Sequence, residues 1–181
     1  MAPAVWLLQE TKLHSAKQLR KARAIAECKG WGCELDPALI TRRAGVTSGT
    51  AALWDRGVCS LVDGRSRRHS GYGRWTVADV VFGGLTISLA SFYGDCGDTS
   101  RTREMLLELI GELSGAELWA IGGDFNLTPE ECRAAVAGSP AITVAPGRPT
   151  CFPSLGAPSV LDFFVVSPRP RSHTAAARPQ D

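Results

Sequence analysis

The chain has 181 residues, an apolar fraction of 44% and a formal charge of +2. That length and composition suit one packed domain. The charge does not by itself argue for a nucleic-acid partner, and no apolar stretch is long enough to span a bilayer.

From the N-terminus, Val5 to Gln9 reads as a buried strand; the opening Met-Ala-Pro-Ala-Val-Trp lacks the basic start of a signal peptide. Lys12 to Lys29 reads as a helix, with Ala16, Leu19, Ala22 and Ala26 recurring every three to four residues and Gly30 as its stop. Residues 36 to 48 read as a loop. Thr50 to Trp54 and Val58 to Val62 flank Asp55-Arg56-Gly57, a hairpin signal. Asp63 to Gly73 is polar and reads as an exposed loop. Arg74 to Phe82 and Leu85 to Tyr93 flank Gly83-Gly84, a stronger hairpin signal.

Thr99 to Ser114 carries an apolar stripe of Met105, Leu106, Leu109, Ile110 and Leu113, with Asp98 or Thr99 as cap and Gly115 as stop. Leu118 to Ile121 is a strand, and Thr128-Pro129-Glu130-Glu131 is a helix start. Residues 145 to 158 form a Pro/Gly loop before a last strand, Val160 to Val166. The expected domain is residues 1 to 167. The Pro- and Arg-containing stretch 168 to 181 is expected to be a disordered tail. Two hairpins among mixed helices and strands predict an α+β fold.

Three segments carry chemistry. In Trp119-Ala-Ile-Gly-Gly-Asp-Phe-Asn-Leu127 an apolar run ends in two glycines, then an acid and an amide two residues apart. In a strand, i and i+2 share a face, so Asp124 and Asn126 would point to one place. Gly122 and Gly123 leave room for a close approach to the backbone. A carboxylate beside an amide suits a water, a metal or a phosphate oxygen; the same spacing also makes an Asx-type turn. The other two are Leu7-Leu8-Gln9-Glu10-Thr11-Lys12, a strand ending in an acid, and Ser159-Val-Leu-Asp-Phe-Phe-Val-Val-Ser167, an acid opening a strand.

Gln-Glu-Thr, Gly-Asp-Phe-Asn and Ser-x-Leu-Asp-Phe-x-x-Val-Ser, in that order over residues 4 to 170, resemble the endonuclease/exonuclease/phosphatase family. The resemblance implies a two-sheet β-sandwich flanked by outer helices, the four-layer DNase I-like fold, and a phosphoester hydrolase. It implies that Glu10 binds the metal, Mg²⁺ with Mn²⁺ as a substitute. It makes Asp124 the residue that orients or deprotonates the attacking water, and Asn126 the one that holds the scissile phosphate. Asp162 would belong to the acidic pocket, and Tyr93 would stand near the phosphate. The implied partner is nucleic acid, DNA above RNA, with no membrane role. A phosphomonoesterase acting on an inositol phosphate or nucleotide is the other enzymatic reading.

Departures from the family pattern are equally specific. No Asn-bearing strand precedes Gln9, and Gly94-Asp95-Cys96 stands where Pro-Asn is usual. Ser172-His173 lacks the Asp of the closing Ser-Asp-His and follows Asp162 too closely. These departures predict a fold incomplete at both ends, with marginal stability or dependence on another segment. They also support an inactive remnant kept as a binding or structural module. Basic clusters at Lys17 to Arg23, Arg42-Arg43 and Arg65 to His69 are candidates for phosphate contact. Six cysteines without C-x-x-C spacing read as free, buried thiols of an intracellular protein. The compartment stays open; a DNA substrate would imply the nucleus.

Overall fold

A computed structural model describes residues 4–41, 45–62, 68–152, 154 and 157–168. The expected tail lies outside the described residues from Arg169 on, as do His173, Arg42, Arg43, Arg65 and Arg67.

Two sheets form the centre. The smaller holds β1 (Val5–Leu8), β5 (Thr50–Asp55) and β2 (Trp31–Asp36), in the order β1-β5-β2 and all antiparallel. The larger runs β11 (Ile142–Val144), β12 (Asp162–Val166), β10 (Trp119–Asp124), β9 (Leu85–Tyr93), β8 (Trp75–Phe82) and β6 (Cys59–Leu61), with β7 (Arg68–His69) added on β8. Among the described residues only β9 and β10 pair in parallel, because α2 (Thr99–Leu113) carries the chain back between them. A separate two-stranded pair joins β3 (Leu39–Ile40) to β4 (Val46–Thr47).

Alternation along each strand builds the layers. On β9 and β10, Ala90, Phe92, Trp119 and Ile121 face α2 and pack against Met105, Leu106, Leu109 and Leu113. On the opposite face, Ala78 and Val80 meet Ala52 and Trp54 of the smaller sheet, with Val5, Leu7 and Leu89 alongside. The helix α1 (Ala16–Cys28) lies on the far side of the smaller sheet and buries little beyond Ala26. The third and shortest of the described helices, α3 (Pro129–Val136), packs with α2. The two-sheet sandwich with outer helices is therefore present.

Several elements differ from the sequence reading. The first helix begins at Ala16, not Lys12: Ser15 and Gln18 close a capping box there. Glu10 and Lys12 take left-handed backbone angles, φ +53° and +57°, that no helix start accepts. The expected hairpin around Asp55-Arg56-Gly57 is a corner instead. Val58 N–H does bond to the Asp55 carbonyl at 3.1 Å, but β5 pairs in the smaller sheet and β6 in the larger. A turn signal is local, whereas strand partners are chosen by the apolar faces of Trp54 and Cys59, which both line the inter-sheet core. The 36–48 loop contains β3 and β4, and β2 and β11 fall where no strand was predicted. The 63–73 loop is not wholly exposed: β7 pairs with β8, and Gly73 and Ser70 grip a buried Asp36. All six cysteines are free as expected, yet only Cys59 and Cys132 are buried, while Cys28 and Cys96 are exposed. Among the described residues no helix is long and apolar enough to cross a membrane.

Candidate active site

The register of the larger sheet sets the site. Asp124 pairs with Tyr93 on one side and Asp162 on the other, so the three side chains form a row across β9, β10 and β12. That row lies on the face toward the smaller sheet. Gly122, two residues before Asp124, faces Leu7 and Phe164; a Cβ there would come within 2.9 Å of Leu7. The row thus sits at the end of the cleft between the sheets. The cleft itself encloses about 570 Å³ and is lined mainly by Val5, Leu7, Leu89, Gly122 and Phe164.

Glu10 reaches the same end from β1. Gln9 Nε2 donates to Ser91 Oγ at 2.8 Å, and Ser91 Oγ donates to the Leu8 carbonyl at 2.8 Å, which locks the two sheets together here. The chain then turns through Glu10 in a left-handed conformation, anchored by Thr11 N–H on the Gly49 carbonyl at 3.0 Å. Such a conformation costs a non-glycine residue about 1–2 kcal/mol, so the surrounding bonds must hold it. The reward is direction. Tyr93 Oη donates to Glu10 Oε1 at 2.6 Å, and Lys12 Nζ sits 2.9 Å from the same oxygen.

Asp124 and Asn126 converge, but not as alternate residues of a strand. The strand ends at Asp124, and Asn126 is left-handed at φ +48°. Asn126 N–H donates to Asp124 Oδ1 at 3.1 Å, an Asx turn. The Asn126 side-chain amide then donates to the Gly94 carbonyl at 3.2 Å. The turn and the site are one piece of structure. Beneath it, Phe125 is fully buried and stacked on Phe163, ring centroids 4.1 Å apart.

The electrostatics separate the three acids. Burial above all, helped by the negative charges of Asp162 and Glu10, pushes the Asp124 carboxyl up from its ordinary value, against the Asn126 N–H bond. Glu10 is held below its ordinary value by the Tyr93 hydroxyl and then by Lys12. Tyr93 is pushed far up, first by burial and then by its bond to Glu10, so it remains a neutral donor. Asp162 is exposed. Among the described residues no group of three or more His, Cys, Asp or Glu side chains is arranged to hold a metal ion. The donor chemistry nevertheless fits a hard cation that keeps most of its waters and takes one or two carboxylates. All the acids present oxygen, and Glu10 Oε1 already holds one positive group, the Lys12 ammonium.

Sequence reasoning missed Arg74. It lies over the Tyr93 ring at 5.2 Å, donates to the Gly94 carbonyl at 2.9 Å and pairs with Asp95 at 3.1 Å. No motif marked it; its one signal was an arginine at a strand start opposite the end of β9. Of the basic clusters, Arg68 is tied to Asp79 and the Glu112 carbonyl, and Arg23 lies 3.9 Å from Glu34.

No family model matches this sequence, and no curated protein matches it. Solved structures do. D. rerio TDP2 complexed with a single-strand DNA product superposes with a TM-score of 0.57 at 16% identity, covering 98% of this chain and 74% of that one. An endonuclease/exonuclease/phosphatase from Bacteroides vulgatus gives a TM-score of 0.59 at 14% identity, covering 91% and 73%. The fold is DNase I-like. The endonuclease domain of TRAS1, a telomere-specific non-LTR retrotransposon, is similar as well, with a TM-score of 0.55, 14% identity and coverage of 91% and 85%. At these identities the likeness is one of DNase I-like architecture.

Proposed function

We propose that this chain is a divalent-metal-dependent phosphodiesterase that cuts nucleic acid, with DNA as the favoured substrate. The observation that carries the reading is the row Tyr93–Asp124–Asp162 facing Glu10, with Asn126 turned back onto it, at the open end of the inter-sheet cleft. The similarity to proteins described as a DNA-bound TDP2 and a retrotransposon endonuclease supports the substrate class.

In this reading Asp124 accepts a proton from the attacking water. Its burial makes it a better base than an exposed aspartate, because its ionised form is less comfortable. Asn126 has two side-chain N–H groups; one bonds Gly94, leaving the other for a phosphoryl oxygen. Glu10, with Asp162 across the row, would hold Mg²⁺ or Mn²⁺, which would neutralise charge on the phosphate. Tyr93 keeps Glu10 ionised and aimed. A phosphomonoester substrate would call on the same groups, so it is separated by assay.

Plasmid nicking in Mg²⁺ tests the reading, run beside p-nitrophenyl phosphate. Nicking that disappears with chelator and with Asp124→Ala supports it. Undiminished nicking by Asp124→Ala would sink the mechanism, and turnover of the monoester alone would replace the substrate class.

A further inference from the structure

Arg74 approaches the site along a route that none of the sequence motifs marks. It immediately precedes β8, at the end of a turn held by Asp36 of β2. Asp36 is fully buried. Its Oδ2 accepts the Ser70 hydroxyl and the Gly73 N–H, the latter at 2.9 Å. Ser70 Oγ in turn accepts the Arg74 N–H at 2.9 Å, and the Arg74 carbonyl accepts Tyr93 N–H at 2.8 Å. The backbone of Arg74 is therefore fixed from both sides.

The side chain is only 15% exposed. Its guanidinium covers the Tyr93 ring, bonds the Gly94 carbonyl and pairs with Asp95. Asn126 donates to that same carbonyl, and Gly94 N–H bonds the Asp124 carbonyl at 2.8 Å. A Cβ on Gly94 would lie 2.0 Å from the Phe125 carbonyl, so the two strand ends are in close contact here. Gly94 is thus the point where Arg74 and Asn126 meet, with the Tyr93 ring as the plate beneath the cation.

We propose that Arg74 is a positioning residue of the hydrolytic site: it clamps Tyr93 toward Glu10 and fixes the Gly94 carbonyl from which Asn126 is aimed. The inference rests on the phosphodiesterase reading above. Its physical basis is geometry that only arginine provides. One planar fork stacks on a ring, bonds a carbonyl and pairs with a carboxylate together; an ammonium on a flexible stem cannot hold all three. The clamp also sets a fixed positive charge beside Glu10, in a partly buried setting where charge counts for more than in water.

The test compares Arg74→Ala and Arg74→Lys with wild type in plasmid nicking, with circular dichroism to establish folding. A lost positioning group should lower kcat by about 100-fold and leave KM within about twofold. Millimolar guanidinium chloride should restore part of the loss in Arg74→Ala, where equal sodium chloride should not. Arg74→Lys should be as poor as alanine. Wild-type kcat in either variant, or a loss confined to KM, overturns the proposal. Absence of nicking by the wild-type protein defeats the phosphodiesterase reading instead. The inference is then decided by the side-chain amide resonances of Asn126: displaced signals in both variants support the clamp, and unchanged signals overturn it.

Discussion

Gly123→Ala should damage fold and site at once. In the parallel ladder Gly123 stands opposite Phe92, one step before the Asp124–Tyr93 pair. A Cβ at Gly123 would lie 1.9 Å from the Phe92 carbonyl oxygen and 2.9 Å from its carbon. Relieving that overlap means shifting a central strand by about an ångström, because a carbonyl in a ladder has no rotamer to escape into. Two ladder hydrogen bonds at about 1 kcal/mol each are strained or lost. Overpacking of a tight interior adds about 1–3 kcal/mol. The expected loss is about 3–5 kcal/mol, or a fall in Tm on the order of 10 °C for a domain of this size. Thermal melts followed by circular dichroism measure it. Gly111→Ala is the matched control. That glycine lies within α2 with nothing within 4 Å of an added Cβ, so alanine there should gain about 0.5–1 kcal/mol. A Gly123→Ala melt indistinguishable from wild type would refute the close β9–β10 approach.

Asp124 holds its proton to higher pH folded than unfolded, chiefly through burial. The stability this supplies is complete below the unfolded pKa and lost as pH rises through the folded one, so Asp124→Asn should raise Tm at neutral pH. It should also cut nicking by about 10³-fold; a lower Tm at neutral pH would contradict the burial argument. Glu10 behaves oppositely: its carboxyl is lowered, first by the Tyr93 hydroxyl, so its contribution is present above the unfolded pKa and fades as pH falls through the folded one. Tyr93→Phe should therefore shift the Glu10 titration upward in carboxyl ¹³C spectra, and an unmoved curve would count against the contact. Phe125→Ala empties the space between Phe92 and Phe163, and should cost about 3–5 kcal/mol in urea unfolding.

By itself the sequence determined the elements that carry their own periodicity and punctuation. The β8–β9 hairpin at Gly83-Gly84, the stripe and Asp98 cap of α2, and the Thr128-Pro129 start of α3 all stand where the local pattern put them. Its short motifs around Glu10, Asp124, Asn126 and Asp162, and a tyrosine at a strand end, Tyr93, marked candidate site residues through their resemblance to one family's pattern. What it could not supply was distance. That Asp124 lies between Tyr93 and Asp162 is a fact of register between strands far apart in the chain. That Glu10 joins them depends on one sheet packing on another and on a left-handed turn at Glu10. The Asp55–Gly57 corner looked like a hairpin for the same reason: a turn is encoded within four residues, while strand partners are chosen by burial across the whole molecule. Arg74 carried no motif, only its place at a strand start, since its three partners, Tyr93, Gly94 and Asp95, lie about twenty residues on and come within reach only when β8 pairs with β9.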